Sequence, residues 1–187
     1  MAELDFEGAR RWARFDPRKT LARRDDRELP FVDEALIGGQ GLLLDTCVYI
    51  DQVQDRSPQV LDDLIAHRQV NHSTVAIQEL MHTVGVLNPS DARTAAVIGE
   101  IGKQIKTMPP HRMFAPDIEV LGRAALLSGI LCRLQGYEKD GKLRALQDCV
   151  LFLQAQKLGL VVLTANVSDY DILLQLMPGR ALFYRQK

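Results

Sequence analysis

The stretch Gly41-Leu42-Leu43-Leu44-Asp45-Thr46-Cys47-Val48-Tyr49-Ile50-Asp51 runs three leucines straight into an acid, and apolar residues resume after Thr46. A short, uninterrupted apolar run ending at a carboxylate reads as a parallel strand buried on both faces, with the acid at its carboxyl end. In open α/β sheets that end is where ligands bind. A carboxylate taken out of water needs a partner: a helix N-terminus, a base or a cation. Taken alone, Asp45 reads as the cap of the following helix. It becomes a functional acid only if other acids converge on the same point.

Leu160-Val161-Val162-Leu163-Thr164 is a second run of this kind. Ala165 to Asp169 reads as the turn after it, and Tyr170 to Met177 as a helix. Val70-Asn71-His72 is a short strand, and Ala181 to Tyr184 a last one after the Pro178-Gly179 turn. Helices fill the intervals. Ser57-Pro58 predicts a cap and first-turn proline for a helix to about His67. Ser73 caps another, to about Leu87, with Ile77, Leu80, Met81 and Val84 as its buried stripe. Asn88-Pro89 ends it, and Ser90 is expected to cap the next, to about Lys106. Pro116-Asp117 opens the most apolar helix, Ile118 to Leu134, which is either core or an oligomer face. Gly136 to Gly141 reads as a polar loop, and a helix from about Leu143 to Leu158 is closed by Gly159. Strands alternating with helices predict an α/β protein: a mainly parallel sheet with helices on both faces.

Over 187 residues the chain is 47% hydrophobic and 25% charged, enough for one domain with a real core. The net charge of −1 supplies no global basic field, so a nucleic-acid partner would have to be met by a local patch or by bound cations. Cys47, Cys132 and Cys149 are odd in number and lack C-x-x-C spacing, which points to thiols of a reducing compartment and away from a disulfide frame or zinc site. His67, His72, His82 and His111 show no ligand spacing either. The acidic start, Met1 to Asp5, has no apolar targeting core, and no run spans a bilayer. The expectation is a cytoplasmic protein with no membrane partner.

Residues 1–40 differ in texture from residues 41–187 and read as an N-terminal extension, basic then acidic. Arg10, Arg11, Arg14, Arg18, Lys19, Arg23 and Arg24 face one acid, Asp16, and Trp12 and Phe15 interleave with them. That suits an arm for nucleic-acid phosphates. It suits still better an amphipathic segment packed on the main domain through Trp12 and Phe15, which are three apart.

Four acids have the placement to converge. Asp45 and Asp169 follow buried strands. Asp148 is embedded in a greasy helix, where an unpaired acid is costly. Glu79 borders the buried stripe of its helix. Gathered at one sheet edge they would raise one another's pKa values unless a divalent cation neutralised them. Oxygen-only ligation suits Mg²⁺ or Mn²⁺, and such sites cut or transfer phosphate esters. Each acid also has an ordinary reading, as a cap or a surface group. Asp51, Asp55, Asp62, Asp63 and Asp171 are read as surface or caps.

The segments Leu44 to Asp51, Ser73 to Leu80, Asp148 to Gly159 and Leu163 to Tyr170 resemble the PIN domain, in particular the VapC-type toxins of toxin–antitoxin pairs. The resemblance covers about Leu42 to Tyr184. It implies a PIN-like three-layer α/β/α sandwich and an Mg²⁺- or Mn²⁺-dependent endoribonuclease that hydrolyses RNA phosphodiester bonds. It further implies a small antitoxin protein as partner and a homodimer. Carried over, the catalytic and metal-binding acids fall on Asp45, Glu79, Asp148 and Asp169, and the small polar supporting residues on Thr46, Thr164 and Asn166. The residue two beyond the first acid is often Asn or Ser in that family and is Cys47 here, so looser hydrogen bonding is expected at that point. Residues 1–40 have no counterpart in the usual short toxin. Two other readings stay open. One is a catalytically silent binding or assembly module of the same fold. The other is a phosphatase with an aspartyl nucleophile, although no Asp-x-Asp follows the first strand.

Overall fold

The structure, a computed structural model, describes residues 4–11, 21–136 and 139–187. Strands β1 (Leu42–Leu44), β2 (Val70–Ser73), β3 (Met113–Phe114), β4 (Val161–Thr164) and β5 (Ala181–Phe183) form one sheet in the order β3-β2-β1-β4-β5. Every pairing is parallel. Successive side chains leave opposite faces of a strand. Leu42, Leu44, Val161, Leu163 and Leu182 therefore share one apolar layer with Val48, Leu61, Leu64, Leu80 and Ile101. These last come from α2 (Thr46–Val53), α3 (Gln59–His67), α4 (Thr74–Val86) and α5 (Thr94–Thr107). Leu43, Val162, Ala181 and Phe183 face the other way. They pack against α6 (Ile118–Gln135), α7 (Lys139–Leu158) and α8 (Val167–Leu176).

The result is a three-layer α/β/α sandwich, and it explains the unbroken apolar runs of β1 and β4: both faces are covered. Truncating Leu43, fully buried at the sheet's centre, to alanine would cost about 2–5 kcal/mol. From β1 the chain steps outward through β2 to β3, then returns to lay β4 and β5 on the other side. The direction of winding thus reverses between β1 and β4, and the carboxyl ends of those two strands open the crevice where open α/β sheets bind ligands.

The described part of residues 1–40 is docked on this body. In α1 (Phe6–Arg10) Ala9 is buried, and just ahead of it the Leu4 side chain fills the space a Cβ at Gly122 of α6 would need. Arg24 donates from its backbone N and its Nε to Asp171, both at 2.7 Å. Phe31 forms a parallel bridge with Phe183, their ring centroids 5.8 Å apart. Arg68 donates to the carbonyls of Leu36, Ile37 and Gly38. Trp12, Phe15, Arg14, Arg18 and Lys19 lie outside the described residues.

Several local expectations need correction. Asp51 and Asp171 are neither surface groups nor caps: both are 0% exposed. Asp51 is held by Arg56, Tyr184 and Gln186, and Asp171 by Arg24 and Gln175. Met81 is 54% exposed, and the buried side of α4 is instead Val75, Ala76 and Leu80. Pro58, not Ser57, stands at the cap of α3, and it brings no side-chain bond. Helix α5 begins at Thr94, not after Ser90, because the Asn88 and Asp91 side chains first close turns onto Ser90 N and Arg93 N. Lys139 is already helical, so the loop after Gly136 is shorter than expected, and Tyr137 and Glu138 lie outside the described residues. Strand β3 has only two residues, too short to leave a periodic signal.

Candidate active site

Asp45 stands at the carboxyl end of β1 as the cap of α2, so its cap role and its placement at the sheet edge are one arrangement. Its Oδ1 accepts from Thr46 N at 2.7 Å. Its Oδ2 accepts from Thr164 Oγ1 at 2.5 Å and from Cys47 Sγ at 3.3 Å. Cys47 also accepts from Ala165 N at 3.3 Å. The thiol therefore links the turns after β1 and β4 where looser bonding was expected. Burial and the Asp45 charge push its thiol well above the ordinary range.

The turn after β4 is shorter than the sequence implies. Asn166 caps α8, and Asp169 is inside the first helical turn, its N–H donating to Asn166 Oδ1. The Asn166 amide nitrogen donates to Asp148 Oδ2 at 3.0 Å and to Asp169 Oδ2 at 2.9 Å. Those two carboxylates are neighbours across one nitrogen. Asp148 reaches this point from the middle of α7 and is buried. Glu79, on α4, accepts from the Thr46 hydroxyl, so Thr46 and Asp45 tie it to the end of β1.

Glu79, Asp45 and Asp148 all have raised pKa values, with burial as the leading cause. Asp45, Asp169 and Glu79 add their charges at Asp148, which is pushed well above the carboxylate range. Glu79 is raised to about 7 by desolvation and the Asp45 charge, against the Thr46 bond and Arg144. Acids that discourage one another's ionisation in this way are what a divalent cation would relieve. The donor set is carboxylate oxygen with a hydroxyl and an amide alongside, which fits Mg²⁺ or Mn²⁺ and not a soft metal. As the side chains stand, no three His, Cys, Asp or Glu groups among the described residues are grouped closely enough to hold an ion. The acids form two linked sets, Asp45 with Glu79 through Thr46, and Asp148 with Asp169 through Asn166.

Beside them lies a groove of about 840 Å³ lined by Thr46, Glu79, His82, Leu143, Arg144 and Gln147, among others. Arg144 is four residues before Asp148, hence on its face of α7, and its charge acts on both Asp148 and Glu79. Sequence reasoning passed over it. The signal was that i,i+4 spacing from an acid already singled out.

No family model matches the sequence, and no curated protein matches it either. Solved structures do resemble it. A chain of VapBC2 from Rickettsia felis, bound to a DNA fragment from its promoter, superposes with a TM-score of 0.53 at 10% identity, over 77% of this chain and 98% of that one. FitAcB from Neisseria gonorrhoeae gives 0.51 at 20% identity, over 76% and 96%. DNA-bound VapBC from Salmonella typhimurium gives 0.51 at 15%, over 78% and 98%. At such identities the likeness establishes architecture. The chain has the PIN-like α/β fold that its sequence motifs resemble, and it shares that fold with chains of the VapBC and FitAcB structures.

Proposed function

We propose that this chain is an Mg²⁺- or Mn²⁺-dependent endoribonuclease of the VapC toxin type. The observation that carries the reading is that Asp45 with Glu79 and Asp148 with Asp169, carried by four separate elements, form two linked pairs at the sheet edge where the winding reverses, near enough for the other three charges to act on Asp148. When bound, the cation supplies charge neutralisation at the phosphate and a water of lowered pKa. Asp45 and Asp148 would be its principal holders, with Glu79 and Asp169 completing the set. Thr164, Thr46 and Cys47 hold Asp45, Thr46 also holds Glu79, and Asn166 keeps Asp148 and Asp169 side by side. Arg144, on the groove wall, offers a phosphate of single-stranded RNA its one nearby positive charge among the groove residues named, and exposed Met81 and Leu143 offer apolar surface to bases.

A small antitoxin is the partner this reading carries. The exposed Ile118 and Leu121 of α6 are the surface for a homodimer. No helix among the described residues is long and apolar enough to cross a membrane, and the proposed compartment is the cytoplasm. The test is cleavage of single-stranded RNA with Mg²⁺ or Mn²⁺ present and then chelated. Activity that survives both Asp45→Asn and Asp148→Asn would overturn the reading. A second reading, a silent binding module of the same fold, is favoured by one observation: among the described residues no three acids are grouped to hold an ion as they stand. Absence of Mn²⁺ binding by calorimetry would decide for it.

A further inference from the structure

Three tyrosines among the described residues are almost wholly buried: Tyr49, Tyr170 and Tyr184. Tyr49 Oη is 2.7 Å from His72 Nδ1, and Tyr184 Oη donates to Asp51 Oδ2 at 2.7 Å. Tyr170 is 0% exposed, yet its hydroxyl has no hydrogen-bond partner among the described residues. Folded proteins seldom keep a buried donor unpaired, because its desolvation is then uncompensated. The ring has ordinary packing, edge-on to Phe152 with centroids 6.4 Å apart.

Phe152 lies one helical turn beyond Asp148 on α7, and residues four apart share a face. The Tyr170 ring therefore lies against the row of α7 that carries the acid. Tyr170 directly follows Asp169 at the start of α8, close to the cap Asn166 that holds Asp148, and burial together with the charges of Asp45, Asp148, Cys47 and Glu79 raises its hydroxyl pKa. Asp148 accepts a single hydrogen bond among the described residues, from Asn166, although an ionised carboxylate has room for several. An unpaired donor and an under-supplied acceptor thus border the same site.

We propose that Tyr170 is a positioning residue whose hydroxyl donates to the Asp148 carboxylate when the site holds its divalent cation, fixing the acid jointly with Asn166. This rests on the divalent-cation reading of the site. The hydroxyl contributes nothing to the metal-free fold and acts only through Asp148. Outer partners of this kind set ligand orientation, and losing one typically weakens metal binding about 10–100-fold.

The experiment is Mn²⁺ titration calorimetry and metal-free thermal melting of the full chain as wild type, Tyr170→Phe and Tyr49→Phe. Tyr170→Phe should bind Mn²⁺ about 10-fold more weakly while melting, without metal, no lower than wild type. Tyr49→Phe, which breaks a formed bond, should melt lower and keep wild-type Mn²⁺ affinity. Equal Mn²⁺ affinity of wild type and Tyr170→Phe would overturn the proposal. So would a lower metal-free melting temperature for Tyr170→Phe, or an equal loss of affinity in Tyr49→Phe. A wild type that binds no Mn²⁺ overturns the cation reading itself, an outcome distinct from loss of the Tyr170 role alone.

Discussion

Thr164 Oγ1 donates to Asp45 Oδ2 across 2.5 Å, joining the last residue of β4 to the acid that follows β1. This bond crosses the point where the winding reverses, and it lowers the Asp45 pKa against the upward push of burial. Thr164→Val keeps the shape and removes the donor. The metal-free protein should lose about 1–3 kcal/mol, measured as a lower urea midpoint at unchanged slope. A midpoint equal to wild type would show that Cys47 and Thr46 suffice.

The raised acids set a pH dependence. The Glu79 pKa moves from 4.5 to about 7 on folding, so between those values the folded state binds more protons than the unfolded one. Its contribution is present at low pH and is lost as pH rises through about 7. Asp148, raised for the same reasons, acts in the same sense. Asp117 and Glu119, lowered by Lys157, act oppositely, at and below the ordinary carboxylate range. His72, lowered by burial, also acts oppositely, below its ordinary value. The comparison that isolates Glu79 is wild type against Glu79→Gln from pH 4.5 to 7. Wild-type metal-free stability should fall across that window relative to the variant. Parallel curves would mean that Glu79 is not perturbed.

Mn²⁺ should raise the melting temperature of the wild type, since a ligand held only by the folded state stabilises it. Asp148→Asn should remove that rise and, by deleting one of the mutually opposed charges, leave the metal-free protein at least as stable. Melting curves with and without Mn²⁺ check both halves. A destabilised metal-free Asp148→Asn protein would make the acid a structural partner of Asn166.

Arg24 and Asp171 form an ion pair with the acid end fully buried and the arginine side chain 36% exposed. Arg24→Ala strands that carboxylate with Gln175 and the backbone N–H of residue 24 as remaining donors. The loss should be about 3 kcal/mol, at the low end for a broken buried pair because water reaches the arginine. Chemical denaturation at neutral pH measures it.

Leu121→Glu, at a 47% exposed position on α6, should convert any homodimer to a folded monomer in sedimentation, and its melting temperature should no longer depend on protein concentration. A variant that still sediments as a dimer would move the interface elsewhere.

Much of this molecule was legible before any coordinates. Asp45, Asp148 and Asp169 stood out because a strand end and a greasy helix are costly places for a carboxylate. Strands β1 and β4 were legible because burial on both faces erases alternation. What was not legible depended on partners distant in sequence. Asp51 and Asp171 look like ordinary helix acids until Tyr184 and Arg24, more than a hundred positions away, meet them. Cys47 looked like a weak substitute because nothing local shows that it touches Ala165 N. Tyr170 read as the start of a helix, and only its missing partner singles it out.

The bridge between Phe31 and Phe183, with Val32 N donating to Phe183 O and Phe183 N to Pro30 O, has a consequence for synthesis. On the ribosome, residues 30–32 emerge long before the strand they lie against. They must wait for nearly the whole sheet to be made, as Arg24 must wait for Asp171. Until they dock, the outer side of β5 is an open edge that another nascent chain can occupy. Docking of residues 21–37 is thus a closing step that follows synthesis of β5, and residues made before the sheet are the ones that seal its outer strand.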